Sequence, residues 1–344
     1  MRDMMQIPEK MTVIGVKNPG GPDVLLPETR PVPTPNPGEV LVRVRAAGVN
    51  RPDLLQRMGK YPPPPGASDV LGLEIAGEIA FIPQGTSCPY PVGTRVCALL
   101  SGGGYAEYAT APVGQILPLP DHISDVQGAA LPEGLFTIWQ NVFKRGALTP
   151  HDSVLIHGGA SGIGTLAIQM IRYWQKMQGN QDPPALLVTA GSAAKCAACV
   201  ALGASAAIDY KTQDFVAEVD RITHGRGVDL ILDMVGGDYI PRNLACLAPG
   251  GRHVTIAMLH GSAATIDLRL IMTRGLTLTG STLRPRTIEE KCGLCRDIET
   301  YIWPGIISGQ IAPVIHRTFP LLNAADAHTM LESGETIGKI ILNI

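Results

Sequence analysis

Val154-Leu155-Ile156-His157-Gly158-Gly159-Ala160-Ser161-Gly162-Ile163-Gly164-Thr165-Leu166-Ala167 decides how this chain is read. A β-branched and leucine run enters the stretch, and a helix-like pattern leaves it. Between them, Gly158, Gly159, Gly162 and Gly164 fall within seven positions. A strand that turns tightly into a helix brings backbone N–H groups close to a pyrophosphate. The helix N-terminus then adds its orphan donors and its positive dipole end. The spacing Gly159-x-x-Gly162-x-Gly164 differs from G-x-G-x-x-G, so the motif alone is a weak sign. A glycine-rich turn without a ligand competes with it, and the surroundings have to decide.

Downstream, strands and helices alternate. Thr165–Met177 reads as a helix, Ala185–Thr189 as a strand, and Ala193–Leu202 as a helix stopped by Gly203. Ala206–Ile208 is a third strand, followed by a helix over Phe215–Thr223. Val228–Asp233 is nearly all apolar, as buried parallel strands are. A helix over Tyr239–Leu247 ends at Pro249-Gly250-Gly251, and strands follow at His253–Ala257 and Leu276–Gly280. This alternation predicts a doubly wound parallel sheet. The glycine stretch follows its first strand, where a dinucleotide turn belongs.

Upstream, from Met11 to about Leu131, the pattern is short strands and turns. Thr12–Val16 and Glu39–Ala46 read as strands. Pro31, Pro33, Pro35 and Pro37 between them forbid helix. Asn50–Met58 suits a short helix, and Tyr61-Pro62-Pro63-Pro64-Pro65-Gly66 a stiff loop. Leu71–Ala80, Thr94–Leu100 and Tyr105–Thr110 complete a β-rich, barrel-like domain. The tail from Leu283 carries an interrupted helix (Thr287–Ile307) and a last strand (Ile337–Leu342). It is too short for a domain and is expected to complete the first one. The expected division is 11–132 with 283–344, and 133–282, after a loose extension over 1–10.

The 344 residues suffice for two domains with real cores. Hydrophobic residues at 45% and charged residues at 17% exclude a disordered chain. The formal net charge of −2 and the mixed charges give nucleic acid or membrane surfaces no support. No apolar run approaches a membrane span, and no targeting segment is legible. The expected location is the cytoplasm, with the seven cysteines as thiols.

The chain resembles the zinc-free quinone oxidoreductases (zeta-crystallin-like) of the medium-chain dehydrogenase/reductase superfamily. The likeness runs from about Met11 to Ile344, closest to the mammalian branch with a Tyr-Pro-rich loop. It rests on Ala46–Leu54, Gly59–Gly66, Leu71-Gly72-Leu73-Glu74, the glycine turn and Thr189-Ala190-Gly191-Ser192. Gly227–Gly237, Gly280–Arg284 and Ile337-Gly338-Lys339-Ile340 extend it. The resemblance implies an α/β chain with a GroES-like catalytic domain, a Rossmann domain and NADPH-driven reduction of quinones. It also implies a homodimer, or a dimer of dimers, for which Arg274–Gly280 suits an edge strand. Arg172–Pro184 is longer than the family leads one to expect.

NAD-specific folds carry an acid at the end of the second strand to hold the ribose 2′-OH. Here that strand ends in Ser192 without one, so NADPH is the expected cofactor. Ser192 can donate to a 2′-phosphate and Lys195 can neutralise it, although Lys195 also suits a solvated helix lysine. Tyr210 resembles the family residue beside the adenosine phosphate. The turn from Gly159 to Gly164, with Ser161, Gly162 and Ile163, is expected to hold the pyrophosphate. Met258, Leu283 and Arg284 are expected at the nicotinamide half, with a surface or interface cation as the alternative for Arg284.

Where zinc alcohol dehydrogenases have a ligand cysteine, this chain has Asn50. Where they have Gly-His-Glu, it has Gly72-Leu73-Glu74, and leucine cannot ligate. No metal is expected. Cys196–Cys199 and Cys292–Cys295 are C-x-x-C pairs, but both lie in helical stretches, so core cysteine is favoured. By the resemblance, Asn50, Tyr61 and Thr137 line an apolar substrate slot. Tyr61 also suits a packing role in its proline loop, and His157 a structural one. The leading function is an NADPH:quinone oxidoreductase. An enone or enoyl reductase and a crystallin-like NADPH-binding protein with little catalysis are the alternatives.

Overall fold

The computed structural model describes residues 7–344, so the expected loose extension over 1–10 lies outside the described residues as far as residue 6 and is corrected beyond it: Ile7 packs on the core, the Glu9 carbonyl accepts from the Val32 N–H at 3.1 Å, and Lys10 pairs with Pro31. The chain forms two compact units. The first contains the described part of Met1–Phe136 together with Arg284–Glu299 and Ile315–Ile344. The second contains Thr137–Leu283 and Thr300–Val314.

The first unit opens with β1 (Lys10–Val16), β2 (Leu25–Pro31), β3 (Glu39–Val49) and α1 (Arg51–Arg57). It continues with β4 (Glu74–Phe81), β5 (Arg95–Leu99), β6 (Tyr108–Pro112), β7 (Ile116–Pro118), α2 (Asp125–Gly128) and α3 (Pro132–Ile138). The second unit contributes β8 (Val154–Ile156), α4 (Gly162–Met177), β9 (Leu186–Ala190), α5 (Ala193–Ala201), β10 (Ala206–Asp209) and α6 (Phe215–Ile222). It goes on through β11 (Val228–Asp233), α7 (Tyr239–Cys246), β12 (Leu247–Thr255), α8 (Leu268–Arg274) and β13 (Thr277–Gly280). The tail holds α9 (Ile288–Tyr301), α10 (Trp303–Ile307), β14 (Ile315–Pro320), α11 (Ala324–Ser333) and β15 (Lys339–Asn343).

In the first unit, β14-β15-β3-β4-β5-β7 form one sheet, with β6 also on β3, and β1-β2 form a hairpin beside it. β3 is central because nearly all its side chains are buried. Its register brings chemistry together. Ile340 of β15 pairs with Val49 of β3, which sets Lys339 opposite Asn50. Ala47 pairs with Ile75 of β4, which sets Glu74 beside Gly48. A Cβ on Gly48 would come within 2.1 Å of Glu74 Oε1 and 2.7 Å of the Ala129 carbonyl, so only glycine leaves room for that carboxylate.

In the second unit the order β10-β9-β8-β11-β12-β13 is parallel throughout. This is the strand order of the dinucleotide-binding fold. β8 and β11 are buried along their whole length, which accounts for the apolar runs Val154–Ile156 and Leu230–Leu232. β13 ends the sheet as an edge strand. Arg172 of α4 ties down the end of the longer segment by donating to the Pro184 carbonyl (2.9 Å), and holds the turn after α5 by donating to that of Gly203 (2.8 Å).

Three further sequence expectations need correction. Residues 300–314 belong to the second unit instead of completing the first. Tyr301 stacks on Trp139, Gly305 lies flush against Tyr173, and Gln169 exchanges two hydrogen bonds with the Ala312 backbone. These contacts between distant residues are invisible to local periodicity. β12 begins at Leu247, so Pro249-Gly250-Gly251 lies inside an irregular strand whose register on β11 shifts after Val228. β2, α8, β14 and α11 did not stand out in the sequence.

Candidate active site and dinucleotide turn

The glycine stretch folds as strand, turn and helix. Gly158 has φ +68°, a left-handed conformation that a side chain would strain. A Cβ on Gly159 would lie 2.6 Å from Val188 Cβ, so this glycine lets the turn pack on β9. A Cβ on Gly164 would lie 2.4 Å from the Gly158 carbonyl oxygen and 2.5 Å from that of Gly159. The turn therefore closes directly on the first coil of α4.

Ser161 is the N-cap of α4, its Oγ accepting from the Gly164 N–H at 3.0 Å. Its hydroxyl faces Met234 Sδ at 3.8 Å. With Gly164 capped, the N–H groups of Gly162 and Ile163 are the first-turn donors open to an anion. The close approach of bare backbone and these donors fit a pyrophosphate.

At the end of β9, Ser192 caps α5, its Oγ accepting from the Lys195 N–H at 3.3 Å. Gly191 is flush with Tyr210, whose hydroxyl a Cβ there would meet at 2.7 Å. Ser192, Lys195 and Tyr210 thus share the carboxyl end of β9 and β10 with no acid on β9 itself. Met258 is exposed, and Leu283 is buried in the second unit. Thr137 is half-buried, and its carbonyl accepts from Asn141 Nδ2 at 2.9 Å.

His157 follows β8 and is fully buried. Its Nε2–H donates to Asn243 Oδ1 at 2.7 Å, and its Nδ1 faces the Thr189 hydroxyl at 3.0 Å. Burial pushes its pKa down to about 4, so it stays neutral and ties β8 to β9 and α7.

The first unit gathers a second polar cluster. Glu74, fully buried at the head of β4, pairs with the Lys339 ammonium. Asn50 Nδ2 donates to Glu74 Oε1 at 2.8 Å, and Lys339 Nζ donates to Asn50 Oδ1 at 2.6 Å. The Glu133 backbone N–H donates to Glu74 Oε2 at 2.9 Å. Asp53 anchors the start of α1, accepting from the N–H of Asn50 (2.8 Å) and of Gly72 (3.1 Å). The Tyr105 hydroxyl also donates to Asp53 at 3.3 Å. Behind it, Arg57 Nη1 donates to His328 Nδ1 at 3.3 Å, which leaves the His328 Nε2–H for Tyr105 at 3.1 Å. Burial raises Asp53 to about 6 despite its backbone donors, and lowers His328 to about 3 with help from the Arg57 charge.

Arg284 is buried, so the alternative of a surface cation is corrected. Its guanidinium lies over the Tyr61 ring at 5.5 Å, and its Nε donates to the Ser101 carbonyl at 2.9 Å. Lys291 Nζ donates to the Arg284 carbonyl (2.8 Å) and to Ser101 Oγ (3.0 Å). Arg284 thereby fixes the ring that its neighbour, the proline loop, presents. Tyr61 is half-buried, and burial followed by the Glu133 charge raises its hydroxyl above the usual range.

The sequence singled out Asn50 and Tyr61, whereas Lys339, Asp53, Glu133 and Lys291, which the structure gathers near them, were not singled out. The signal for Lys339 was a lone lysine heading an apolar strand. Lys291 follows Glu289 and Glu290, a charged run that carries no local mark of burial. All seven cysteines are free thiols, with Cys199 and Cys295 buried on their helices. Among the described residues, no group of three or more His, Cys, Asp and Glu side chains is placed to hold a metal ion. No helix among them is long and apolar enough to cross a membrane.

Residues 36–121 match the family model of the alcohol dehydrogenase GroES-like domain, and residues 202–342 that of the zinc-binding dehydrogenase. The chain is 31% identical over 336 residues to the quinone oxidoreductase of Rattus norvegicus, covering 96% of this chain and 97% of that one. It is also 30% identical over 312 residues to a phenolphthiocerol/phthiocerol polyketide synthase of Mycobacterium tuberculosis. That match covers 90% of this chain but only 14% of the length of the synthase. The solved Escherichia coli quinone oxidoreductase complexed with NADPH superposes with a TM-score of 0.83 at 27% identity, covering 97% of this chain and 99% of that chain. With the glycine cradle, the parallel strand order and the β-rich first unit, these likenesses agree on one conclusion: the chain belongs to the quinone oxidoreductase-like family of the medium-chain dehydrogenase/reductase superfamily and is an NAD(P)-dependent oxidoreductase.

Proposed function

We propose that the chain reduces quinones by hydride transfer from NADPH, without a metal. The observation that carries this reading is the closed Asn50–Glu74–Lys339 cluster. An ammonium neutralises Glu74, and Leu73 supplies no donor, so the residues suit an acceptor that needs no Lewis acid. A hydroquinone anion spreads its charge over the ring and is far better stabilised than an alkoxide.

NADPH, when bound, supplies the hydride. The N–H groups of Gly162 and Ile163 would hold its pyrophosphate, and Ser192, Lys195 and Tyr210 its 2′-phosphate end. Thr137, Met258 and Leu283 are assigned to its nicotinamide half. Tyr61, braced by Arg284, offers a ring to stack on a flat acceptor and a hydroxyl to donate to its oxygen. Asn50 keeps one amide hydrogen free of Glu74 for the same purpose. Arg284 itself bonds within the first unit, so it is assigned to positioning Tyr61 and not to the cofactor.

The test follows NADPH oxidation with 1,2-naphthoquinone, 1,4-benzoquinone and an aliphatic enone. Turnover with the quinones is expected. Turnover with the enone alone assigns double-bond reduction instead, and tight NADPH binding with no turnover assigns a binding protein. Lys195→Ala should weaken NADPH at low salt by about tenfold, the loss of one charge-assisted contact, and leave NADH nearly unchanged. Calorimetric titration measures both, and equal NADPH affinity in the variant would refute the assignment of Lys195.

A further inference from the structure

The buried Lys339 ammonium pairs with the Glu74 carboxylate and lies within electrostatic range of two further carboxyl groups, those of Asp53 and Glu133. Lys339 is committed to Glu74 and Asn50. Glu74 is filled by Lys339, Asn50 and the Glu133 N–H. Asp53 is filled by the N–H groups of Asn50 and Gly72 and by the Tyr105 hydroxyl. The Glu133 carboxyl takes no hydrogen bond or ion pair among the described residues, and it is half-buried where the other two are buried. It is therefore the one carboxyl of the three that a small molecule can reach.

We propose that Glu133 is the proton donor that completes reduction of the acceptor. This role rests on the quinone-reductase reading above.

The groups facing Glu133 explain why it would hold a proton. Burial disfavours its charge most. Glu74 on β4 and Asp53 on α1 repel the carboxylate, while Lys339 on β15 and Lys291 on α9 attract it. Tyr61 and Arg284 also feel its charge. The balance pushes Glu133 up to about 8, so the carboxylic acid persists at neutral pH. A carboxyl kept neutral in this way can donate a hydrogen bond and then a proton. Tyr61, within range of the same charge, can orient the acceptor oxygen.

The step balances. The hydride brings two electrons and one hydrogen to the quinone, leaving a hydroquinone anion. The Glu133 O–H bond breaks, its electron pair stays on the carboxylate, and a new O–H bond forms on the acceptor oxygen. A proton from solvent then restores the Glu133 acid. The sum is quinone, NADPH and one proton giving hydroquinone and the oxidised cofactor.

Glu133→Gln keeps the shape of the side chain and removes the acid. With 1,2-naphthoquinone its kcat should fall by about 100-fold at neutral pH. The decline of the wild-type kcat above about pH 8 should also be lost, and Glu133→Asp should restore part of the rate. A second readout needs no turnover. Infrared difference spectra of the wild-type chain at pH 7 should contain a protonated carboxyl stretch that Glu133→Gln lacks. Because the folded state holds this proton up to about pH 8, the melting temperature of Glu133→Gln should gain on the wild type as pH rises from 5 to 9. Wild-type turnover with an unchanged rate and pH profile in Glu133→Gln would overturn the inference, as would a missing infrared band. A wild-type chain that reduces no quinone would instead refute the reading beneath it, which the infrared band distinguishes.

Discussion

Gly164→Ala should reduce NADPH affinity by at least about 100-fold and destabilise the second unit by about 1–3 kcal/mol. The added methyl would sit 2.4 Å from the Gly158 carbonyl oxygen, 2.5 Å from that of Gly159 and 2.6 Å from the Gly159 carbonyl carbon. All three are backbone atoms, so no side chain can swing aside to admit it. The turn itself has to open, and it carries the Ser161 cap and the Gly162 and Ile163 N–H donors with it. The expected signature is loss of cofactor-induced stabilisation in a thermal melt, together with weak binding by calorimetry. Gly293→Ala is the control. It lies inside α9, and its new methyl would meet only Arg296 Nη2, at 4.0 Å. That variant should gain about 0.5–1 kcal/mol, because alanine loses less backbone entropy in a helix. Normal NADPH affinity in Gly164→Ala would show that the turn has slack that these distances deny.

The second large effect is expected from Lys339→Met, which should cost the first unit about 3–5 kcal/mol. Lys339 is buried, and its ammonium pairs with a Glu74 carboxylate that has no exposure at all. Methionine fills similar volume but leaves that carboxylate with only the Asn50 amide and the Glu133 N–H. Breaking one side of a buried pair is far more costly than replacing both sides. The double variant Lys339→Met/Glu74→Gln should therefore recover most of the loss, a coupling that urea denaturation of the full chain can measure. The recovered double variant should still reduce quinones poorly, since Asn50 loses its Lys339 donor and the Glu133 environment changes. Independent, additive losses in the single variants Lys339→Met and Glu74→Gln would show that the pair is not a unit.

Much of the fold was legible because the second unit is built from local patterns. Val228–Asp233, with the apolar run Leu230-Ile231-Leu232 at its centre, forms β11 over that same range. Glycine marks the turn, and serines at 161 and 192 cap the helices that follow. The elements that were not legible lack such a signature. β2 holds Pro27 and Pro31 and pairs only with β1, so its sequence does not alternate cleanly. α8 keeps no fully buried residue: Leu270 and Ile271 pack partly on the core while Leu268 and Met272 stay exposed, so its apolar residues do not resolve into one inward stripe. The placement of residues 300–314 depends on Trp139, Gln169 and Tyr173, more than a hundred positions away.

By itself the sequence determined the glycine turn between β8 and α4 and the lack of an acid at the end of β9, because each is a matter of neighbouring residues in one strand–turn–helix. It also determined that Leu73 cannot ligate a metal. Only the tertiary structure decided what surrounds Asn50. The register of β15 on β3 and of β3 on β4 brings Lys339, Asn50 and Glu74, almost three hundred positions apart at the extremes, into one hydrogen-bonded cluster. The start of α3 then lays the Glu133 N–H on Glu74 and leaves the Glu133 carboxyl without a partner. Strand pairing sets these distances, and a buried charge takes its meaning from what stands within a few ångströms of it, which no local pattern records.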